Sequence, residues 1–171
     1  MPGDFEKIYE IDQACYEPRI AYSRTELRQY LRFPGADCVI AEAARGNSSP
    51  TSRRSSARAV GAAFPPPETV GFCITARRDV WGYIVTMDVL APYRRLGVAS
   101  QLLAEAERRM ISHGVREIGL ETATDNSAAI AFWQKHGYRK SGVRKNYYPG
   151  GRDAYSMAKR IAALQSAATG K

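Results

Sequence analysis

Apolar residues recur at helical spacing from the first stretch of the chain. In FEKIYEIDQACY, Phe5, Ile8, Tyr9 and Ile11 fall on one side of a helix. A second helix is predicted after Ser23-Arg24-Thr25-Glu26, which has the spacing of a capping box. It runs through Leu27, Tyr30 and Leu31 and stops at Pro34-Gly35. The pattern then shortens to strand-like runs: Cys38–Ala44, Thr69–Arg78 and Trp81–Leu90, the last two an antiparallel pair turning at Asp79. Next comes the best-signalled helix, with Val98, Leu102, Leu103, Ala106 and Met110 on one face and Gly114 where it ends. Residues Val115–Thr124 alternate, Ile118, Leu120 and Thr122 opposing Glu117, Gly119 and Glu121. Asp125-Asn126-Ser127 caps another helix that ends at Gly137, and a closing strand is predicted near Ala154–Ile161. Two helices, a meander of strands, then strand-helix-strand-helix and closing strands make a mixed α/β (α+β) protein with a right-handed crossover.

Between the first two strands the pattern fails. Arg45–Glu68 is rich in Ser, Arg, Ala and Pro, with almost nothing large to bury, so it reads as a disordered insertion loop between adjacent strands. Residues 163–171 read as a flexible tail. The 171 residues otherwise suit a single domain with a core of its own. No apolar run reaches the roughly 18 residues of a membrane span, and no secretory pattern opens the chain. Cys15, Cys38 and Cys73 are odd in number and widely spaced, with only His113 and His136 beside them. A cytoplasmic protein without metal is therefore expected.

Charge narrows the partners. The chain carries 25 basic and 17 acidic residues, a net +8. Arg45–Val60 contributes +4 and Arg139–Lys171 contributes +7, leaving −3 on the rest. The excess occupies one loop and one C-terminal segment rather than a basic recognition helix, so direct nucleic-acid binding is not expected.

The candidate chemistry begins where the strand ending at Leu90 meets Arg94-Arg95-Leu96-Gly97-Val98-Ala99-Ser100. A helix N-terminus offers unpaired amides and a favourable dipole to an anion, and Gly97 and Ala99 allow close approach. Neither a Walker loop nor GxGxxG is present, and from spacing alone an ordinary turn with surface arginines fits as well. With the following segment LETATDNSAAIAFWQKHGY (Leu120–Tyr138), however, R-x-x-G-x-A resembles the coenzyme A-binding signatures of the GNAT N-acetyltransferase superfamily. RKNYYPGGRDAYSM (Arg144–Met157) is similar to its RimI-type protein N-terminal acetyltransferases, which act on a ribosomal-protein alanine. LAPYRRLGVA (Leu90–Ala99) is similar to members acting on methionine termini.

The resemblance implies a GNAT fold: a mixed, mostly antiparallel sheet splayed in the middle, helices on both faces and acetyl-CoA in the splay. Met87, Asp88 and Val89 would lie along the cofactor, a bulge freeing the Val89 amide as oxyanion donor. Arg94 and Arg95 through Ser100 would hold the pyrophosphate, Asn126 the pantetheine arm, with Trp133 beside the cofactor. Glu121 is the implied general base and Tyr83 the second candidate, taken to share a face with Val85, Met87 and Val89. Glu121 is otherwise a solvated strand-end glutamate, Tyr83 a packed aromatic and Asn126 a plain N-cap. Trp133 replaces a tyrosine that protonates the leaving thiolate in similar enzymes, and Tyr138, Tyr147 or Tyr148 could compensate. Tyr147 and Tyr148, in a loop ending at Pro149-Gly150-Gly151, would wall the slot for a protein or peptide N-terminus, ribosomal ones included, and Asp153 would orient that loop. Two rivals stand beside this reading: the same fold acetylating a small amine such as a polyamine or aminoglycoside, and a non-catalytic ribosome- or RNA-binding module.

Overall fold

Ser23 does what its spacing predicts. Its hydroxyl accepts from the Glu26 amide at 3.2 Å while Glu26 Oε2 accepts from the Ser23 amide at 2.8 Å, closing a reciprocal cap on helix α2, Arg24–Arg32. Helix α1, Pro2–Cys15, precedes it. The computed structural model describes residues 2–44 and 67–161. The predicted tail and most of the predicted insertion therefore lie outside the described residues. Strand β1 is Asp37–Ala43, and β2, Glu68–Arg78, takes in Glu68, the last residue of the expected loop. The two are antiparallel neighbours.

After β2 come β3, Trp81–Val89, helix α3, Val98–Ser112, β4, Glu117–Ala123, helix α4, Ser127–Lys135, and the hairpin of β5, Arg139–Tyr148, with β6, Arg152–Arg160. They form one six-stranded sheet in the order β1-β2-β3-β4-β6-β5. Every neighbouring pair is antiparallel except β3 and β4, which α3 connects. Only Trp81, Gly82 and Tyr83 pair with β4, opposite Glu117, Ile118 and Gly119. Beyond Tyr83 the two strands part.

The sheet is covered on both faces, as the mixed α/β reading requires. Ile8, Ile11, Leu27, Phe72 and Ile74 are buried beneath α1 and α2. On the other face Leu102, Leu103, Ala106 and Met110 of α3 and Trp133 of α4 pack on Val39, Cys73, Ile84, Ile118 and Leu120. The expected alternation of β4 holds, with Ile118, Leu120 and Thr122 buried.

The expectation that Tyr83, Val85, Met87 and Val89 share a face fails. Ile74 pairs with Thr86 and Thr75 with Ile84, so Val85 is an extra residue in β3. A bulge shifts the side-chain alternation by one. Val85 consequently packs with the α1/α2 core, whereas Met87 and Val89 pack with the α3 core. The same slip turns Thr86 and Asp88 toward α1, where Thr86 Oγ1 donates to Asp88 Oδ2 at 3.0 Å and meets the Tyr16 hydroxyl at 3.5 Å.

Asp88 is thereby buried under α1, near the buried Asp12 of that helix. Asp12 Oδ2 accepts from the Tyr22 amide at 2.8 Å, but its Oδ1 has no partner among the described residues. Burial raises the Asp12 pKa to about 6, and burial followed by the charge of Asp12 raises that of Asp88 to about 7. A carboxyl raised on folding stabilises the fold while protonated and loses that contribution as pH climbs through the folded value. Asp12→Asn is therefore predicted to exceed the parent in stability by about 2 kcal/mol at pH 8, the gap closing toward pH ~4. Denaturant unfolding at the two pH values measures this; a gap that does not change with pH would contradict it.

Candidate functional site

The parting of β3 from β4 opens a cleft of about 940 Å³, lined by Met87, Asp88 and Val89 on one wall and Glu121, Thr122 and Ala123 on the other. Amides alternate sides along a strand. Because the Leu90 amide donates to Val70 on β2 at 2.9 Å, those of Val89 and Met87 face the cleft. Val89 itself stays in register opposite Gly71. The amide expected to be freed by a bulge at Val89 is thus exposed by the splay, while the bulge sits at Val85. The Val89 carbonyl is engaged, accepting from Arg94 Nε at 2.9 Å. Asp88 sends its side chain toward Tyr16, so only its backbone runs with that of Met87 and Val89.

At the upper end of β3 the chain passes through a short 3₁₀ turn, Ala91–Tyr93, into the basic loop. Arg95 (φ 64°) and Gly97 (φ 85°) both adopt left-handed backbone, and Gly97 caps α3 with no side chain on the first-turn amides. The first intrahelical bond there runs from Gln101 N to Gly97 O at 3.1 Å, leaving the amides of Val98, Ala99 and Ser100 available to an anion. Leu96 lies within the loop and is half-buried; Val98 and Ala99 pack on the core, and Ala99 lines the cleft. The Ser100 hydroxyl is paired with His136 Nε2 at 3.0 Å, so only its amide is open.

Glu121 stands at the opposite wall, its side chain only 8% exposed, held from three strands. Tyr83 of β3 donates its hydroxyl to Oε2, Ser156 of β6 donates to Oε1 at 3.2 Å, and Arg144 Nε of β5 lies 3.3 Å from Oε1. Burial, reinforced by the bond to Glu121, pushes the Tyr83 pKa upward. Tyr83 thus donates to Glu121, which sets the two candidate bases side by side. Tyr147 and Tyr148 close this end edge to face, ring centroids 5.0 Å apart, with burial raising the Tyr148 pKa to about 12. They sit at the end of strand β5 rather than in a loop, because Lys145 Nζ and the Asn146 amide both bind Asp153 on β6, at 2.6 and 3.0 Å.

On α4, Asn126 is itself the N-cap, accepting from the Ala129 amide at 3.0 Å; its side-chain nitrogen makes no hydrogen bond among the described residues. Trp133 is buried edge-on against Phe132 and Tyr138 and lines the cleft. Tyr138 does not reach it, being buried with its hydroxyl on Glu107 at 2.9 Å. Four residues of this site were not singled out from sequence. Arg144 and Ser156 reach Glu121 only through the β4-β6-β5 order. Tyr16 and Tyr22 line the cleft from the α1–α2 connection, where no periodicity marks them.

The sequence pattern of the acetyltransferase (GNAT) family matches residues 5–138. An N-alpha-acetyltransferase of Saccharolobus solfataricus is 40% identical over 81 residues, 47% of this chain and 48% of that protein. The chain thus spans about half the length of the curated relatives it matches. Among solved structures, the ribosomal-protein-S18-alanine N-acetyltransferase of Escherichia coli matches with a TM-score of 0.72 at 21% identity, over 98% of this chain and 94% of that one. Arabidopsis thaliana Naa50, in complex with the bisubstrate analogue CoA-Ac-MVNAL, matches with a TM-score of 0.52 at 32% identity, over 55% and 67%. The expected fold, a mixed and mostly antiparallel sheet with helices, is the fold observed, and the likeness to these structures agrees with it.

A side chain at position 97 would meet nothing nearer than Gln101 Nε2 at 3.9 Å, so its cost is the left-handed backbone. Gly97→Val, carrying about 1–2 kcal/mol of strain in that conformation, is predicted to weaken coenzyme A binding roughly tenfold while the protein stays folded. Calorimetric titration checks this; an unchanged affinity would remove the loop from the binding site.

Proposed function

Because this chain belongs to the acetyltransferase (GNAT) family, we propose that it moves the acetyl group of acetyl-CoA to the α-amine of a protein N-terminus. The observation that carries this reading is the position of Glu121, a shielded carboxylate across a phenol-walled cleft from two open backbone amides. The splay suits the pantetheine arm, the bare first turn of α3 with Arg94 and Arg95 suits the pyrophosphate, and Asn126 Nδ2 remains to donate. These groups fit coenzyme A, which supplies the activated acetyl group.

The acceptor attacks only as a neutral amine. Glu121 takes its proton, the amides of Val89 and Met87 stabilise negative charge developing on the carbonyl oxygen, and Tyr83 keeps the carboxylate aimed. A nitrogen–carbon bond forms as the carbon–sulfur bond breaks, and the leaving thiolate takes a proton from solvent. Trp133 carries an indole donor but no usable acid. No covalent enzyme intermediate is needed. Cys73 is fully buried with its pKa raised by burial, and Cys15 is occupied with the Val89 carbonyl.

Tyr16, Tyr22, Tyr147 and Tyr148 suit a peptide backbone entering from the α1–α2 side. The peptide analogue on the Arabidopsis relative supports a polypeptide acceptor, and ribosomal-protein termini are natural members of a test panel given the E. coli neighbour. A small polycationic amine is the rival acceptor to test, because Glu17, Glu26 and Asp125 line the cleft beside Glu121. In a panel varying the first two residues, with spermidine and lysine side chains as controls, acetylation is predicted on α-amines; preference for spermidine would overturn the proposal. Glu121→Gln is predicted to lower kcat by roughly 10²–10⁴ with acetyl-CoA binding retained, and unchanged turnover would dismiss Glu121 as the base.

A further inference from the structure

Tyr16 follows helix α1 directly, lines the cleft and sets its hydroxyl over strand β3. The groups it meets there have no proton to give it. Thr86 carries one hydroxyl proton, which goes to Asp88 Oδ2 at 3.0 Å. Thr86 Oγ1 is therefore an acceptor toward the Tyr16 hydroxyl, 3.5 Å away. The Asp88 carboxylate, which Tyr16 also hydrogen-bonds, can only accept. The single proton of Tyr16 thus points at β3, and what its hydroxyl still offers is an oxygen lone pair. Thr86 and Asp88 are only 6% and 3% exposed, so Tyr16 is the member of this group that an acceptor can touch.

The place is that of an acceptor's first residue. Asp88 leaves β3 between the two amides, of Met87 and Val89, that face the cleft, and its side chain lies on the α1 face. Glu121 lies on that face too, since Ile118 and Leu120 of β4 pack into the α3 core. An α-amine attacking a carbonyl on those amides carries its own side chain one carbon away, on the face where Tyr16 stands. We propose that Tyr16 reads the first residue of the acceptor by accepting a hydrogen bond from its side chain, so that a small hydroxyl-bearing terminus, serine above all, is acetylated in preference to alanine. The inference rests on a protein N-terminus being the acceptor, and it names which one. A serine hydroxyl supplies the proton that Tyr16 lacks. A first side chain of the same size without a proton to give covers the lone pair and leaves it unpaired, and an unpaired polar atom shut off from water costs more than the bond itself returns.

The test is kcat/KM at saturating acetyl-CoA and pH ~8.5, where Asp88 is ionised, for peptides that differ only in the first residue: serine, alanine, 2-aminobutyrate or O-methylserine. The parent should acetylate serine roughly tenfold faster than alanine or 2-aminobutyrate, the latter matching serine in size with a methyl group for the hydroxyl. O-methylserine keeps the oxygen but has no proton to donate, and should fall to their level or below. Tyr16→Phe removes the lone pair, so its ratio of serine to 2-aminobutyrate should come within about twofold of one. Equal rates on serine and 2-aminobutyrate in the parent, O-methylserine taken as well as serine, or the parent ratio in Tyr16→Phe would each overturn the proposal. Should Tyr16→Phe not fold, the parent's rates on serine, 2-aminobutyrate and O-methylserine decide alone. If every peptide is acetylated at one rate, only this inference fails. If spermidine is acetylated and no peptide α-amine is, the proposed function beneath it fails as well.

Discussion

Everything at this site depends on the point where β3 and β4 stop pairing. Three residues, Trp81 to Tyr83, join the only parallel pair of the sheet, and beyond them both strands continue without each other. Unpaired backbone inside a protein is costly unless something else satisfies it. Here the unpaired edges become the walls of a cleft, and the amides of Met87 and Val89 keep bonding capacity that a continuous sheet would have consumed. The extra residue at Val85 contributes to the parting, since a bulge bends its strand and raises the local twist. Tyr83, the last paired residue of β3, donates to Glu121 where the strands have already separated. The hydrogen bond spans the gap at its vertex.

The bulge also divides the strand by function. Up to and including it, Tyr83 and Val85 face the α1/α2 side with Glu121. After it, Met87 and Val89 pack into the α3 core, and Asp88 is driven under α1. The cleft can then separate its tasks. In the proposed reaction, backbone along the upper half of β3 would meet the thioester, bare amides at the start of α3 the phosphates, and carboxylate and phenols on the α1/α2 face the incoming amine. Two buried carboxyl groups, Asp12 and Asp88, accompany this arrangement, with pKa values raised to about 6 and 7.

Much of this was legible along the chain because its signals are local. The Ser23 cap, the α3 stripe ending near Gly114, and the alternation of Ile118, Leu120 and Thr122 each arise within a dozen residues. The family was legible because its motifs are contiguous, from Arg94 to Ser100 and from Leu120 to Tyr138. What stayed hidden depends on pairing between distant segments. A bulge at Val85 appears only when β3 is set against β2, and it overturned the facing of Met87 and Val89. Arg144 and Glu121 are 23 positions apart and become neighbours only because β6 inserts between β4 and β5. Tyr147 and Tyr148 looked like loop residues beside Pro149-Gly150-Gly151, yet Asp153 ties Lys145 and Asn146 to the hairpin and carries the strand to its end.

In the proposed reaction, the open edge of β3 is the seat of the acetyl thioester. Amide hydrogen exchange, resolved residue by residue with and without acetyl-CoA, tests it most directly. Bound acetyl-CoA is predicted to slow exchange at Met87 and Val89, together with Val98, Ala99 and Ser100, and to leave Leu90, already bonded to Val70, little changed. Protection confined to α3 with none at Met87 or Val89 would contradict it, because the cofactor would then be held by its phosphates alone and the splay would not be its site.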